Sequence, residues 1–141
     1  VGKEKNPVKV VLDTNVIVSS ILFGGRLVLL VSMWEKGKII PFLSRETFEE
    51  LRRVLEYPKF SLTSDEIHYI LYDKIVPFFE IVIPDEYVKG VSPDPDDDIF
   101  LSVALAAGAD YLVSGDSHLL SLGEYRNVTV ITPSKLLLKL T

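Results

Sequence analysis

The sequence predicts an α/β fold built on a parallel sheet with both faces covered. Segments of helical periodicity alternate with short strand-like runs, and those runs are continuously apolar rather than alternately polar, as doubly buried strands are. Size agrees: 141 residues with 48% hydrophobic content are enough for one ordinary domain with one sizeable core, so a single domain over residues 1–141 is expected.

The elements follow in order. The opening VGKEKNP is polar and is expected to fray, after which KVVL (Lys9 to Leu12) is a β-branched run ending at Asp13, read as a buried first strand. NVIVSSILF and GGRLVLLVSMWEKG read as one or two helices, split by Gly24 and Gly25 and stopped at Gly37. IIPF is a second strand. Ser44 caps the helix SRETFEELRRVLEY, which Pro58 ends because proline disfavours helical geometry in the residue before it. Thr63 and Glu66 have capping-box spacing at the head of TSDEIHYILYDKI, and FFEIVI before Pro84 is a third strand. DIFLSVALAAG is apolar nearly all round and predicts a buried helix. ADYLVSGD supplies a fourth strand and NVTVIT a fifth, and Thr132 with Pro133 opens the closing helix PSKLLLKL. No repeat, linker or low-complexity segment interrupts the pattern.

Composition removes several classes. Without cysteine there are no disulfides, thiolate nucleophiles or Cys-based zinc sites, so a metal must sit on oxygen or on the two histidines. The sequence shows neither a basic, apolar leader nor a run of about eighteen apolar residues, which predicts a soluble, cytoplasmic chain with no membrane contact. Twenty acids against fifteen bases give a net charge of -5, which opposes non-specific attraction to phosphate backbones.

In open parallel sheets, ligands bind outside the carboxyl ends of the strands. Asp13 and Asp116 both stand there, each at a position where capping a helix is the plain alternative. On a wheel of about 100° per residue, Phe48, Leu51, Val54 and Leu55 define the buried face of the acidic helix. Glu46 and Glu49 fall on the far side, with Glu49 expected to pair with Arg53, whereas Glu50 lies beside Val54 where its carboxylate can reach inward.

Asp94, Asp96, Asp97 and Asp98 precede the buried helix, and capping explains one or two of them. The first good cap contributes about 0.5–2 kcal/mol, while further crowded acids repel one another. Asp94, Asp96 and Asp98 match positions 1, 3 and 5 of an EF-hand, but Ile99 replaces the glycine at position 6 and Leu105 the glutamate at position 12, so that reading fails. Carboxylates from separate elements remain: Asp13, Glu50, at least one of the Asp94 to Asp98 group, and Asp116. Oxygen-only ligation suits Mg²⁺ or Mn²⁺, and one ion, or two about 3.5–4 Å apart, would lower the pKa of a bound water for in-line attack on phosphorus. The chemistry expected is therefore phosphoryl transfer or hydrolysis.

VVLDTNVIVSSIL resembles the opening motif of the PIN-domain ribonucleases, an apolar strand followed by Asp-Thr-Asn. DPDDDIFLSVALAAGADYLVSGDSHLL resembles their later acidic motifs, above all in the subgroup of toxin-antitoxin toxins, and EELRRVLEYPKF fits the helix carrying the second acid. The resemblance runs from about Val8 to the final helix. It implies a three-layer α/β/α sandwich with a central parallel sheet of four to five strands. It also implies a metal-dependent endoribonuclease with Asp13, Glu50, Asp97 and Asp116 as catalytic and metal-binding quartet, and Thr14, Asn15 and Ser114 as polar helpers. Asp97 is preferred for its offsets from Phe100 and Gly108, with Asp98 as its rival. The implied partners are an RNA substrate, an antitoxin protein and a second copy of the chain, for which the apolar segments Leu27 to Trp34 and Ile67 to Tyr72 offer surface.

Lys3, Lys5, Lys9, Arg26, Arg45, Arg52, Arg53 and Lys59 are candidate phosphate contacts around the acidic pocket, with ordinary solvated side chains as the alternative. Trp34, Tyr57, Phe60, Tyr69 and Tyr72 are expected to pack in the core, and His68 and His118 to lie on the surface without partners at ligand spacing. A Mg²⁺-dependent phosphatase is one rival, weakened because LDTNV has Asn15 where a second acid belongs. A phospho-acceptor domain lacks its lysine after VSGD, and an inactive nucleic-acid-binding module sits poorly with a complete set of acids.

Overall fold

The computed structural model describes residues 7–141, so Lys3, Lys5 and nearly all of the polar opening lie outside the described residues. At the centre, β1 (Val8–Leu12) pairs in parallel with β2 (Ile39–Leu43) on one side and β4 (Tyr111–Val113) on the other. Beyond β2 lies β3 (Glu80–Ile81), and beyond β4 lies β6 (Val128–Ile131), both again parallel. A sixth strand, β5 (Glu124–Tyr125), joins β6 antiparallel, so the order is β3-β2-β1-β4-β6-β5.

That sixth strand extends the four to five expected. Arg126 and Asn127, with φ of 46° and 73°, form a two-residue hairpin turn in which both central residues are left-handed. Arg-Asn lacks the Asn-Gly or Asp-Gly signature, which is why the hairpin is hard to read from the sequence. FFEIVI, expected as a full strand, supplies only two paired residues. The Phe78 and Phe79 amides bond back to the Ile75 carbonyl at 3.0 and 2.9 Å, so the first part of the segment stays in a helical turn.

Alternation along the strands sorts the apolar side chains into two cores. Val10 and Leu12 of β1 face one layer with Ile39, Leu43, Val113 and Ile131, while Val11 faces the other with Phe42, Leu112 and Val130. The first layer holds α1 (Thr14–Leu22), α2 (Val28–Glu35), α3 (Arg45–Leu55), α4 (Ser64–Tyr69) and α7 (Pro133–Leu140). The second is dominated by α5 (Pro95–Ala107), whose Phe100, Leu101, Val103 and Ala104 lie against the sheet beside Leu119 of α6 (Ser117–Leu120). The result is the three-layer α/β/α arrangement.

Local chemistry sets the helix ends. Gly24 and Gly25, at φ of 67° and 71°, separate α1 from a short 3₁₀ turn and α2. At α3 the Ser44 hydroxyl accepts from the Thr47 amide at 3.2 Å and the Thr47 hydroxyl accepts from the Ser44 amide at 2.9 Å. At α4 the expected Thr63–Glu66 box is present in both directions. The helix read in TSDEIHYILYDKI does not stay α-helical: it widens into a π turn over Ile70–Ile75, where the Lys74 carbonyl accepts from Trp34 Nε1 at 3.0 Å. Glu49 pairs with Arg52 at 2.7 Å, not with Arg53 as expected, because the i,i+3 guanidinium lies nearer on this face. Trp34 is buried and Phe60 packs against the core edge, but Tyr57, Tyr69 and Tyr72 are about half exposed, contrary to the core role expected of them. They stand on the loop after α3, on α4 and on its π turn. No single helix among the described residues is long and apolar enough to cross a membrane.

Candidate active site

The parallel register that sets Leu12 beside Val113 brings the residues after β1 and β4 to one edge of the sheet. Ladder bonds continue past both strands, from the Asp13 amide to the Val113 carbonyl and from the Ser114 amide to the Ile131 carbonyl, each at 3.0 Å. Ser114 is fully buried. Its hydroxyl donates to Asp13 Oδ2 and accepts from the Asp116 amide at 2.9 Å, so one side chain joins the two strand-end aspartates. Both aspartates also cap helices. Asp13 Oδ1 accepts from the Val16 amide at 2.9 Å, and Asp116 Oδ1 accepts from the His118 and Leu119 amides at 2.7 and 3.3 Å.

Glu50 approaches from α3. The hydroxyl of Thr14, the first residue of α1, donates to Glu50 Oε2, which ties the two helices together at the cleft. The other glutamates of α3 are occupied elsewhere: Glu46 accepts from the Tyr87 hydroxyl at 2.8 Å and Glu49 from Arg52. Glu50 thus takes the inward position read from the helical periodicity.

The aspartate cluster does not precede its helix. Asp94 is the cap, its Oδ1 accepting from the Asp96 amide at 2.9 Å, and α5 starts at Pro95, so Asp96, Asp97 and Asp98 form its first turn. This corrects the expected start at Asp98, and proline suits the first helical position because its missing N–H has no partner there anyway. Successive residues on a helix point about 100° apart, and the two neighbours diverge accordingly. Asp97 turns to the cleft and accepts from the Ser92 hydroxyl through Oδ2 at 2.9 Å. Asp98 turns toward the loop before α5, where its Oδ1 accepts from the Ser92 amide at 2.8 Å.

A cleft of about 440 Å³ results, lined by Asp13, Thr14, Asn15, Glu50, Asp94, Asp96, Asp97, Gly115 and Asp116, with Val54 and Phe100 as its apolar wall. Burial raises the Asp13 carboxyl above its ordinary 3.8, opposed by the Ser114 and Val16 hydrogen bonds and reinforced by the Asp97 and Asp116 charges. Burial likewise raises Asp97, opposed by the Ser92 hydroxyl and reinforced by Asp116 and Asp94. Each carboxylate oxygen can accept about two hydrogen bonds, so every one of the four acids keeps accepting capacity toward the cleft. Among the described residues no donor reaches Asp97 Oδ1, Glu50 Oε1 or Asp116 Oδ2. An all-carboxylate set whose members repel one another fits a hard divalent cation by donor chemistry. No three acidic or imidazole groups among the described residues are gathered closely enough to enclose an ion, so the acids line the cleft without converging on a common centre.

An adjoining cleft of about 410 Å³ shares Glu50, Asp96 and Phe100 and adds Arg45 and Arg53. Of the other candidate cations, Arg52 is engaged by Glu49, and Lys9 and Lys59 lie over the Phe42 and Phe60 rings at 6.0 and 5.1 Å. His68 is exposed as expected. His118 is exposed as well, with its Nδ1 3.7 Å from Asp116 Oδ1. Ser92 escaped the sequence reading. It is 6% exposed, and its only outward signal is a small polar residue just before a run of acids.

A family model described as PIN domain matches residues 9–118. The fold is similar to the crystal structure of FitAcB from Neisseria gonorrhoeae, with 22% identity, coverage of 89% of this chain and 98% of that one, and a TM-score of 0.62. It is also similar to PAE2754 from Pyrobaculum aerophilum, with 16% identity, 96% and 92% coverage, and a TM-score of 0.62. No curated protein matches the chain. With the family model spanning the strand-end aspartates and both acidic helices, this chain belongs to the PIN-domain family.

Proposed function

We propose that this chain is a divalent-metal-dependent endoribonuclease that hydrolyses RNA phosphodiester bonds. The observation that carries the reading is the meeting of Asp13, Glu50, Asp97 and Asp116, from four separate elements, around one cleft at the carboxyl edge of the sheet. PIN domains are generally nucleases, and the donor set is the kind that holds Mg²⁺ or Mn²⁺, as one ion or two. When bound, such an ion supplies charge neutralisation at the phosphate and activation of water.

The chain's own residues set the conditions for that chemistry. Ser114 holds Asp13 and Asp116 in fixed relation, and Thr14 keeps the Glu50 carboxylate from turning to solvent. Asn15 offers an exposed amide at the cleft for a substrate oxygen. Arg45 and Arg53 line the adjoining cleft together with Glu46 and Glu49, and are available there for phosphate contacts. Val54 and Phe100 give the cleft an apolar wall.

The role as the toxin of a toxin-antitoxin pair, restrained by an antitoxin protein, rests on the resemblance of DPDDDIFLSVALAAGADYLVSGDSHLL to that subgroup. The half-exposed apolar residues Val28, Leu29, Tyr69 and Tyr72, on α2, α4 and its π turn, support a protein partner or a homodimer. A labelled RNA oligonucleotide and an aryl phosphate, each incubated with Mn²⁺ or EDTA, test the reading. Mn²⁺-dependent cleavage of RNA alone is expected; turnover of the aryl phosphate alone makes the chain a phosphatase, and metal-dependent turnover of neither removes the enzyme.

A further inference from the structure

Ser92 is a buried residue just before the α5 cap, and its hydroxyl accepts from the Asp94 amide at 3.4 Å. Its hydroxyl donates to Asp97 Oδ2 at 2.9 Å while its own amide donates to Asp98 Oδ1 at 2.8 Å, so one residue spans two adjacent carboxylates. Both residues are buried, at 9% and 5% exposure. A second tether lies one helical turn further on. The Val88 amide donates to Ser102 Oγ at 3.0 Å, and that hydroxyl donates to the Asp98 carbonyl at 2.9 Å. The segment from Val88 to Ser92 is therefore fastened to the first two turns of α5 at both ends.

We propose that Ser92 is a positioning residue for Asp97, and that Asp98 anchors Ser92 so that it can do so. The inference rests on the reading of Asp97 as a metal-holding carboxylate. A first-turn aspartate can rotate about two side-chain bonds, and at a helix start it can swing to cap backbone amides instead of facing the cleft. The Ser92 hydroxyl on Oδ2 fixes the carboxylate plane and leaves Oδ1 directed to the cleft. The hydroxyl can act in this way only while its own backbone is held, and the Asp98 carboxylate supplies that hold at a buried amide that otherwise lacks an acceptor. The two adjacent acids thus divide the work: Asp98 holds the loop, and Asp97 is held by it. Hydrogen-bond partners that orient a ligating side chain are ordinarily worth a measurable share of metal affinity.

Calorimetric titration of Mn²⁺ into the full chain tests this, with urea unfolding of each metal-free variant measured alongside. Ser92→Ala is expected to weaken Mn²⁺ binding about 10- to 100-fold. Ser92→Thr, which keeps the hydroxyl, is expected to restore it. Asp98→Ala, which frees the Ser92 amide, weakens binding in the same direction, and adding Ser92→Ala to Asp97→Asn produces no further loss. Parental affinity in Ser92→Ala, beside a loss in Asp97→Asn, overturns the positioning role and leaves the metal site standing. An undiminished Ser92→Ala effect in the Asp97→Asn background overturns it too, because the serine would then act on something other than Asp97. No Mn²⁺ binding by the parent chain overturns the metal reading itself, and the positioning role with it.

Discussion

The acids of α3 and the acids that open α5 are both more numerous than a helix needs, yet different forces sort them. On α3 one face is buried and the other is wet, so the helical period alone separates Glu50 from Glu46 and Glu49. In the first turn of α5 Pro95 and Asp96 are exposed, but Asp97 and Asp98 are both buried, so exposure does not tell the two apart, and each is met by a hydrogen bond from Ser92. Amphipathic helices announce their inward residues; buried helix starts do not.

The sharpest way to break this contrast is at α5. Asp97→Asn is expected to lower Mn²⁺-dependent RNA cleavage by more than about 100-fold, whereas Asp98→Asn, whose amide oxygen still accepts from the Ser92 amide, costs less than about tenfold. The reverse order in initial-rate measurements would exchange the roles assigned to the two neighbours. On α3 the expected gap is narrower. Glu50→Gln slows cleavage about 10- to 100-fold, since the Thr14 bond survives while the charge is lost, and Glu49→Gln stays near the parental rate. Equal losses in the two glutamine variants would show that helical period does not select the working acid.

A third prediction concerns pH and the metal-free chain. Asp13 and Asp97 are held above their ordinary 3.8, so between 3.8 and their folded values the folded state binds more protons than the unfolded one. Their contribution to stability is therefore fully present below 3.8 and is lost as pH rises through the folded values. Urea midpoints measured without metal should show that loss, and Asp13→Asn should reduce it by removing one buried charge beside Asp97 and Asp116. A midpoint in Asp13→Asn that keeps the full parental pH slope would count against repulsion in the cleft. The smallest effect belongs to Asp94, where Asp94→Ala should cost about 0.5–2 kcal/mol of stability and Asp94→Asn much less, as expected of a cap.

Much of the fold was legible because its signals are local and strong. Continuous apolar runs marked the doubly buried strands, and Ser44, Thr63 and Thr132 marked helix starts that the side chains do cap. The β5 hairpin was not legible, since Arg126 and Asn127 adopt left-handed geometry without the glycine that usually signals it. The π turn was hidden for another reason: its Lys74 carbonyl is met by an indole forty positions away in the chain. Strand-end logic and periodicity marked Asp13, Asp116 and Glu50 as candidates. The hydroxyl contacts from Thr14 to Glu50, Ser114 to Asp13 and Ser92 to Asp97 are long-range or loop contacts that no period encodes.

Trp34, the chain's sole tryptophan, lies 1% exposed with its ring edge-on to Phe79 at 5.1 Å and its N–H on the Lys74 carbonyl. It sits in the layer opposite α5, so its emission is an optical gauge of the core with no competing fluorophore of its kind. A cleft variant that loses cleavage while keeping a blue-shifted indole spectrum has lost chemistry; one whose spectrum moves to the red has lost the fold. The protein thus carries, in a core residue outside the cleft lining, the instrument by which each substitution can be judged.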